Sequence, residues 1–209
     1  YTAKLFPDFG IFALPFMFRQ TGTMEATVAG WKMYEKGLLG GLDKMHVFCV
    51  YTNDNSGLHV SSKITSLDQI KGLKVRAPGG TEALVVKKLC GTPVGMSIRQ
   101  VAESLNRGVI QGTLTGWSAL NTFRITPLIK THVDLPLGVR SFILGMRKDL
   151  YNKLSRKGKD AINKNAGLKL SKQFGAYYQK DGEDMRANPK GRSVIRPSSS
   201  ELDGIFKAY

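Results

Sequence analysis

The segment from residue 73 to residue 114 constrains the fold most, because apolar runs and helix patterns alternate in it with very short connections. The predicted strands are Leu73–Ala77, Thr92–Met96 and Val109–Leu114, and the predicted helices are Thr81–Leu89 and Ser97–Leu105. Glycine and proline stand at most of the boundaries. Strand–helix–strand–helix–strand order with short turns is typical of parallel βαβ units, so we expect an α/β fold.

The flanking sequence adds further elements. Residues 1–18 are aromatic and interrupted by prolines, which indicates a buried connector rather than a helix. Apolar residues spaced by four from Ile162 to Tyr178 predict one long helix. Turn formers at 52–57 indicate a crossing between two structural units. The other predicted elements are a helix over Met24–Leu42, a helix after Thr115, and strands at Val47–Tyr51, Ser141–Met146 and Val194–Pro197.

No stretch approaches the roughly 20 apolar residues of a membrane-spanning helix, so we do not expect the chain to span a membrane. It begins at Tyr1 without a signal-like segment and stops within a helix pattern at Tyr209, which predicts a processed chain that is incomplete at both ends. Cys49 and Cys90 form no disulfide framework or metal-ligand spacing. We expect two separate buried thiols, with a single bridge as the alternative.

The chain is strongly basic, with a formal net charge of +15. Such a charge is compatible with nucleic acid, an anionic surface or an anionic ligand. Much of the excess lies between Arg147 and Lys190, around long helical segments, where a solvated helix face is the ordinary explanation. Because no nucleic-acid-binding motif accompanies the charge, we expect no nucleic-acid partner.

Catalysis has little support in the sequence. The three histidines, His46, His59 and His132, have no metal-ligand spacing, and there is no nucleophile elbow, Walker loop or dinucleotide-binding fingerprint. Gly79-Gly80 before a predicted helix is compatible with anion binding at the helix N-terminus, but a simple tight turn is the favoured interpretation. We therefore expect neither an enzyme nor a bound metal or cofactor.

Arg76 is the strongest candidate for a binding residue. It stands near the carboxyl end of a predicted strand, and ligands of open α/β sheets gather at that edge. Its planar guanidinium matches a carboxylate in two parallel hydrogen bonds and stays charged. Thr113, Thr115 and Trp117 follow the next predicted strand, where hydroxyls can bind a substrate and an indole can wall an apolar ligand. A structural ion pair for Arg76, a helix cap at Thr115 and a core tryptophan remain the alternatives.

Several of these segments occur in an order that resembles a known family. The segments are Phe12–Phe16, Ile64–Pro78, Gly91–Val94 and Gly108–Thr113, and the string Lys-Gly-Leu-Lys-Val-Arg-Ala-Pro within the second is the most specific. Together they resemble the DctP-type solute-binding proteins of tripartite ATP-independent periplasmic (TRAP) transporters. The resemblance covers essentially the whole chain.

The resemblance implies a two-domain fold of the periplasmic-binding-protein type, with a long connecting helix, that closes on its ligand like a hinged clamp. It further implies that an N-terminal βαβ unit is missing from this chain. We expect residues 1–57 and 141–180 to form domain I and residues 58–140 and 181–209 to form domain II.

The resemblance also assigns the site. The arginine matching Arg76 is the family's usual partner for a substrate carboxylate. Thr115 stands where many members carry an asparagine that assists this arginine, which puts a second carboxylate contact in doubt. Trp117 beside it suggests a flatter or more apolar ligand than a sugar acid. Arg140 and Phe16 complete the predicted ligand-binding set.

A second cleft arginine has no clear match near Gly57-Leu58-His59. His59 is one substitute for it, and a surface histidine is the favoured interpretation of that residue.

The implied function is that of a monomeric periplasmic subunit that captures a small organic carboxylate and delivers it to the membrane permease subunits. An α/β enzyme acting on a small carboxylate is the alternative, and a basic nucleic-acid-binding domain is a weaker one. Turnover of a bound acid would favour the enzyme, and salt-dependent binding to DNA or RNA would favour the nucleic-acid-binding domain.

Overall fold

The computed structural model describes residues 6–18 and 22–206, and their contacts divide into two compact units. Unit 1 comprises Tyr1–Asp54 and Gly138–Asp181, and unit 2 comprises Asn55–Leu137 and Gly182–Tyr209. The chain therefore enters each unit twice. The domain division expected from the sequence stays a prediction, because compactness alone does not show that either part folds or moves as a domain.

The secondary structure alternates strands with short helices. The strands are β1 (Met45–Thr52), β2 (Ser56–Val60), β3 (Lys74–Ala77), β4 (Thr92–Gly95), β5 (Gly112–Gly116), β6 (Thr131–Val133), β7 (Ser141–Arg147) and β8 (Ser193–Ile195). The α-helices are α1 (Thr23–Glu35), α2 (Gly80–Lys88), α3 (Val101–Asn106), α4 (Trp117–Thr122), α5 (Lys148–Asn152), α6 (Arg156–Asn165), α7 (Leu168–Ala187) and α8 (Ser199–Phe206). A 3-10 helix spans Pro7–Ala13, and shorter 3-10 segments lie at Leu67–Ile70, Ile98–Gln100 and Thr126–Leu128.

Unit 1 is built on the antiparallel pair β1 and β7, which helix α1 packs against. Its core joins α1 and β1 to the segment Pro7–Ala13, whose Phe9 and Phe12 are buried as predicted. This segment forms a 3-10 helix, however, so the prediction of a non-helical connector is wrong for it. The ring of Tyr51 on β1 stacks on Phe174 of α7, with 4.4 Å between centroids. Two apolar layers, one on each side of β1, thus stabilise unit 1.

The single long helix predicted over 162–178 is wrong: the structure has α6 and α7, separated at Ala166 and Gly167. Gly167 has a φ of +91°, a backbone conformation that glycine adopts at little cost, and its N–H donates to the carbonyl of Phe48 at 2.7 Å. The chain therefore exchanges a helical hydrogen bond for one to β1. The apolar spacing of four continues across the break, so the spacing alone did not reveal it.

Unit 2 contains a six-stranded mixed sheet in the order β4-β3-β5-β2-β6-β8. The strands β4, β3 and β5 run parallel to one another, as the sequence predicted, whereas β2 is antiparallel to both of its neighbours, β5 and β6. The last strand, β8, pairs parallel with β6. Helices α3 and α4 and Met185 of α7 contribute to a core cluster that includes the fully buried Trp117.

Local signals set the turns of unit 2. Capping boxes form at Ser66 and at Ser97. In each, the serine side chain accepts from the backbone N–H of the glutamine three residues later, and the side chain of that glutamine, Gln69 or Gln100, accepts from the backbone N–H of the serine. Gly72 and Gly108 have positive φ values of 79° and 68°, as the residue after a helical turn requires. These local hydrogen bonds explain why the sequence located β3, α2 and β4 within a residue or two.

The cysteines only partly match the expectation. Cys49 is fully buried, and Cys90 is exposed, so the prediction of two buried thiols is wrong for Cys90. Cys90 ends the turn after α2 with a φ of 58°, the left-handed conformation typical of a residue that ends a helix. Both cysteines are free thiols.

Candidate functional site

Arg76 is buried near the carboxyl ends of the parallel strands β3 and β4. Its side chain is only 5% exposed, and it pairs in register with Val94 of β4 on one side and Thr113 of β5 on the other. Its Nε donates to the carbonyl of Met96 at 3.1 Å, and one terminal nitrogen donates to the carbonyl of Leu114 at 3.0 Å. Two neutral oxygens from the neighbouring strands therefore fix the plane of a permanently charged group.

The structure brings Thr113, Thr115 and Trp117 together with Arg76 in unit 2. Thr113 and Thr115 lie on β5, which is buried along its whole length, and Trp117 begins α4 directly after it. Gly116, not Thr115, is the residue before the first helical turn of α4, and no side chain caps that helix. Trp117 is completely buried in the core of unit 2. Ligand contact by these three residues stays a prediction.

A buried histidine pair lies beside Trp117, and sequence reasoning missed it. His59 and His132 face each other across β2 and β6, are both 0% exposed, and join their Nδ1 atoms at 2.8 Å. The expectation of a surface histidine at position 59 is wrong. Their rings are 5.1 Å and 4.6 Å from that of Trp117, so the three side chains form one aromatic cluster. The sequence offered little signal for the pair, because His59 stands between Leu58 and Val60 but His132 lies in a mostly polar segment.

Burial determines the charge of this pair. The pKa of His59 is well below its usual 6.5, first because burial disfavours the charged ring and second because His132 adjoins it. Burial, with a smaller contribution from the charge of Arg192, lowers the pKa of His132 to about 4. Both imidazoles are therefore neutral at neutral pH.

The guanidinium of Arg186, on α7, lies over the ring of Trp117. It is 5.3 Å from the ring centroid, donates from Nε to Asp134 at 3.2 Å, and donates to the carbonyl of Asn55 at 3.0 Å. The ion pair is about three-quarters buried on both sides. This largely buried ion pair, together with the cation–π contact, holds the C-terminal end of α7 on the sheet of unit 2.

The turn at Gly79 and Gly80 holds a carboxylate of the chain itself. Glu82 is 4% exposed, and its Oε2 lies 2.8 Å from the position that a Cβ of Gly79 would take. The first turn of α2 therefore already has a negative group against it. This arrangement favours the tight-turn interpretation over an external anion at the same place.

The remaining predicted site residues belong to unit 1. Arg140 is joined to Asn53 by two hydrogen bonds: its N–H donates to Asn53 Oδ1 at 2.7 Å, and its carbonyl accepts from the N–H of Asn53 at 2.9 Å. Phe16 is buried and has a φ of 69°, which is unusual for a bulky residue. The role of both in ligand binding stays a prediction.

Unit 2 has a mixed β-sheet with a buried, oriented arginine near the carboxyl ends of its parallel strands. This arrangement is typical of ligand-binding α/β proteins. The family comparison defines this class further. Residues 1–203 match the model of the DctP family, described as bacterial extracellular solute-binding protein, family 7. The chain belongs to this family, so the predicted membership is confirmed.

Solved structures agree with this result. A TRAP solute-binding protein of an unidentified marine microbe, specific for aromatic acid ligands and co-crystallised with 3-hydroxybenzoate, is 28% identical with a TM-score of 0.89. The alignment covers 100% of this chain and 67% of that one. The predicted α/β fold class and the role of a substrate-binding receptor are confirmed.

Two more distant structures share the fold. A TRAP solute-binding protein from Rhodoferax ferrireducens with copurified benzoate is 23% identical, with a TM-score of 0.86 and coverage of 99% and 66%. One from Pseudomonas aeruginosa with bound L-malate is 18% identical, with a TM-score of 0.74 and coverage of 96% and 73%. This chain thus spans about two thirds of the length of the first two proteins.

Proposed function

We propose that this chain is the extracytoplasmic substrate-binding part of a TRAP transporter and that it captures a small aromatic carboxylate, with Arg76 as the partner of the carboxylate group. The buried and oriented guanidinium of Arg76 is the observation that carries the proposal. Binding requires no chemical step, because the carboxylate replaces water on the arginine and is later released unchanged.

The surroundings of Arg76 suit an anion. Arg76 is 5% exposed, so its charge interacts with a ligand through a medium less polar than water. The attraction between the guanidinium and a carboxylate is therefore stronger there than at the surface. The carbonyl bonds to Met96 and Leu114 hold the guanidinium in one orientation, so little side-chain entropy remains to be lost on binding. Neutral analogues gain nothing from the charge, which makes the site selective for acids.

An aromatic acid is the substrate class that we favour. The 28%-identical relative is specific for aromatic acids, and the one polar exchange noted in the sequence, Thr115 in place of an asparagine, reduces the number of side-chain amide groups near Arg76. Thr113 and Thr115 offer methyl groups as well as hydroxyls. A flat ring with one carboxylate fits such a lining better than a polyhydroxylated sugar acid does.

Delivery to membrane permease subunits and a periplasmic location are parts of the same proposal, and family membership supports both. Among the described residues, none of the helices combines the length and the apolar character needed to cross a lipid bilayer. The transporter's membrane subunits would therefore supply the passage through the membrane.

Isothermal titration calorimetry with paired ligands tests the proposal. Benzoate and 3-hydroxybenzoate are compared with benzamide, which keeps the ring and replaces the carboxylate by a neutral amide, and with L-malate, which keeps the charge without the ring. We expect binding of the aromatic acids, weaker binding of malate, and no detectable binding of benzamide. Equal affinity for benzoate and benzamide would exclude an anion site, and conversion of the ligand, checked by chromatography, would indicate an enzyme.

A further inference from the structure

The histidine pair has only one arrangement of protons that satisfies its hydrogen bonds. Nε2 of His59 lies 3.1 Å from the carbonyl oxygen of Thr115, and a carbonyl only accepts, so His59 carries its proton on Nε2. Its Nδ1 is then an acceptor in the neutral ring. His132 must therefore donate from its own Nδ1 across the 2.8 Å contact. The two neutral histidines are fixed in opposite tautomers.

The hydrogen bonds of this pair end at β5, the strand whose Leu114 carbonyl also accepts from Arg76. Leu114 and Thr115 are consecutive residues of β5, and β5 lies between β3 and β2 in the sheet. Arg76 donates to the carbonyl of Leu114 from β3, and His59 donates to the carbonyl of Thr115 from β2. The carboxyl end of β5 is thus held from both sides by side chains of its neighbours.

The pair is itself held in place by packing on every side. Trp117 lies against both rings, and Val194 of β8 is in register with His132. The charged groups that act on the pair are the cations Arg186, which lowers the pKa of His59, and Arg192, which lowers that of His132. Arg186 is paired in turn with Asp134, which fixes its position near the rings, and burial is the main reason that both rings stay neutral.

We propose that His59 and His132 are positioning residues for ligand binding: the pair sets the place of the Thr115 carbonyl, and through β5 that of the Leu114 carbonyl that orients the guanidinium of Arg76. The proposal rests on the function proposed above. A guanidinium must match a carboxylate in both direction and distance, so a small displacement of β5 lowers affinity without removing any ligand contact.

Two substitutions of His59 separate positioning from mere stability. Glutamine places an N–H donor near the position of Nε2 and can keep the bond to Thr115, whereas leucine has a similar size and no donor. We expect His59→Leu to weaken benzoate binding at neutral pH at least about tenfold and His59→Gln to bind within about threefold of the wild-type protein. Val101→Ala serves as a control that removes buried volume from the same unit, and it should leave the affinity unchanged.

NMR of the histidine side chains provides a second test, because the signals of His59 and His132 would not respond to the ligand if the pair only stabilised the fold. Long-range ¹H–¹⁵N spectra should show one Nε2–H and one Nδ1–H tautomer for the buried pair, and benzoate should shift both sets of signals. The third histidine, His46, is partly exposed in unit 1, and its signals, assigned by comparison with His46→Gln, should not shift.

The outcomes are distinguishable. If the wild-type protein binds no acid, the proposed function fails. If it binds benzoate but His59→Leu keeps the wild-type affinity, or the histidine signals do not respond to benzoate, the positioning role is refuted. Should His59→Leu not fold, the NMR response of the wild-type protein and the affinity of His59→Gln still decide the question.

Discussion

Replacing Arg76 by alanine should abolish tight binding of aromatic acids. The substitution removes the cation and leaves the ligand carboxylate in a buried place without its partner. It also removes a donor from the carbonyls of Met96 and Leu114, which lets the ends of β4 and β5 relax. Both effects act in the same direction on affinity.

The magnitude follows from the burial of the group. Truncating one partner of a buried, hydrogen-bonded charge pair costs about 2–5 kcal/mol, which corresponds to a loss of about 30-fold to a few thousand-fold in affinity. Arg76→Lys keeps the charge, but a single ammonium cannot reproduce the planar fork that two carbonyls and a carboxylate share. We expect Arg76→Lys to lose about tenfold or more and to lie between the wild-type protein and Arg76→Ala.

Calorimetric titration of benzoate at neutral pH measures these losses directly, and ligand-induced thermal stabilisation gives an independent check. Arg99→Ala is the matched control, because it removes the same charge from an exposed position of the same unit. It should bind benzoate within about twofold of the wild-type protein, since exposed charges contribute little.

Two results would refute the reasoning. Arg76→Ala with wild-type affinity would show that the carboxylate binds elsewhere. Equal losses in Arg76→Ala and Arg99→Ala would show that the net charge of the chain, rather than a specific guanidinium, attracts the acid.

Three further predictions concern buried groups and turns within the two units. His132 has a pKa lowered from 6.5 to about 4, so between these pH values the unfolded chain binds a proton that the folded protein does not. The contribution of this histidine to the free energy of unfolding should therefore be full above pH 6.5 and decrease by up to about 3 kcal/mol as the pH falls to 4. Urea unfolding of His132→Gln should show a correspondingly weaker dependence of the free energy of unfolding on pH. Gly138 has a φ of +85°, and a Cβ there would lie 2.8 Å from backbone atoms of the 3-10 helix in unit 1. Gly138→Ala should therefore cost about 2–4 kcal/mol in denaturant unfolding, whereas Gly10→Ala, with nothing within 4 Å, should cost much less. Finally, a thiol reagent should label exposed Cys90 rapidly and Cys49, whose pKa burial raises to about 11, only on unfolding; fast labelling of both thiols would contradict the packing around β1.

Local signals account for the part of the fold that the sequence predicted well. The strands β3 and β4 and helix α2 are bounded by glycine, proline and capping residues, whose conformational preferences act within a few positions. The place of Arg76 at a strand end followed from these boundaries alone. Its hydrogen bonds to two other strands could not be predicted, because they depend on the order of strands in the sheet.

The missed elements depend on distant partners. The strands β2 and β6 are short and rich in residues that also form turns, and they pair with each other across more than 70 positions of sequence, with His59 opposite His132. Neither histidine alone carries a signal, because what matters is the register that brings them together. The break before α7 has the same origin, since a hydrogen bond from Gly167 to β1 ends a helix that the apolar spacing would continue.

The pairing of β8 with β6 affects the order in which the protein can be completed during synthesis. The sheet of unit 2 begins with Ser56–Val60 but takes its outer strand from Ser193–Ile195, after the whole of 138–181 has been made. Until then β6 is an open edge whose backbone groups can pair with another chain. A nascent polypeptide therefore carries an open edge strand while residues 134–192 are being made, and the unit that contains Arg76 acquires its protective edge only when Ser193–Ile195 emerges.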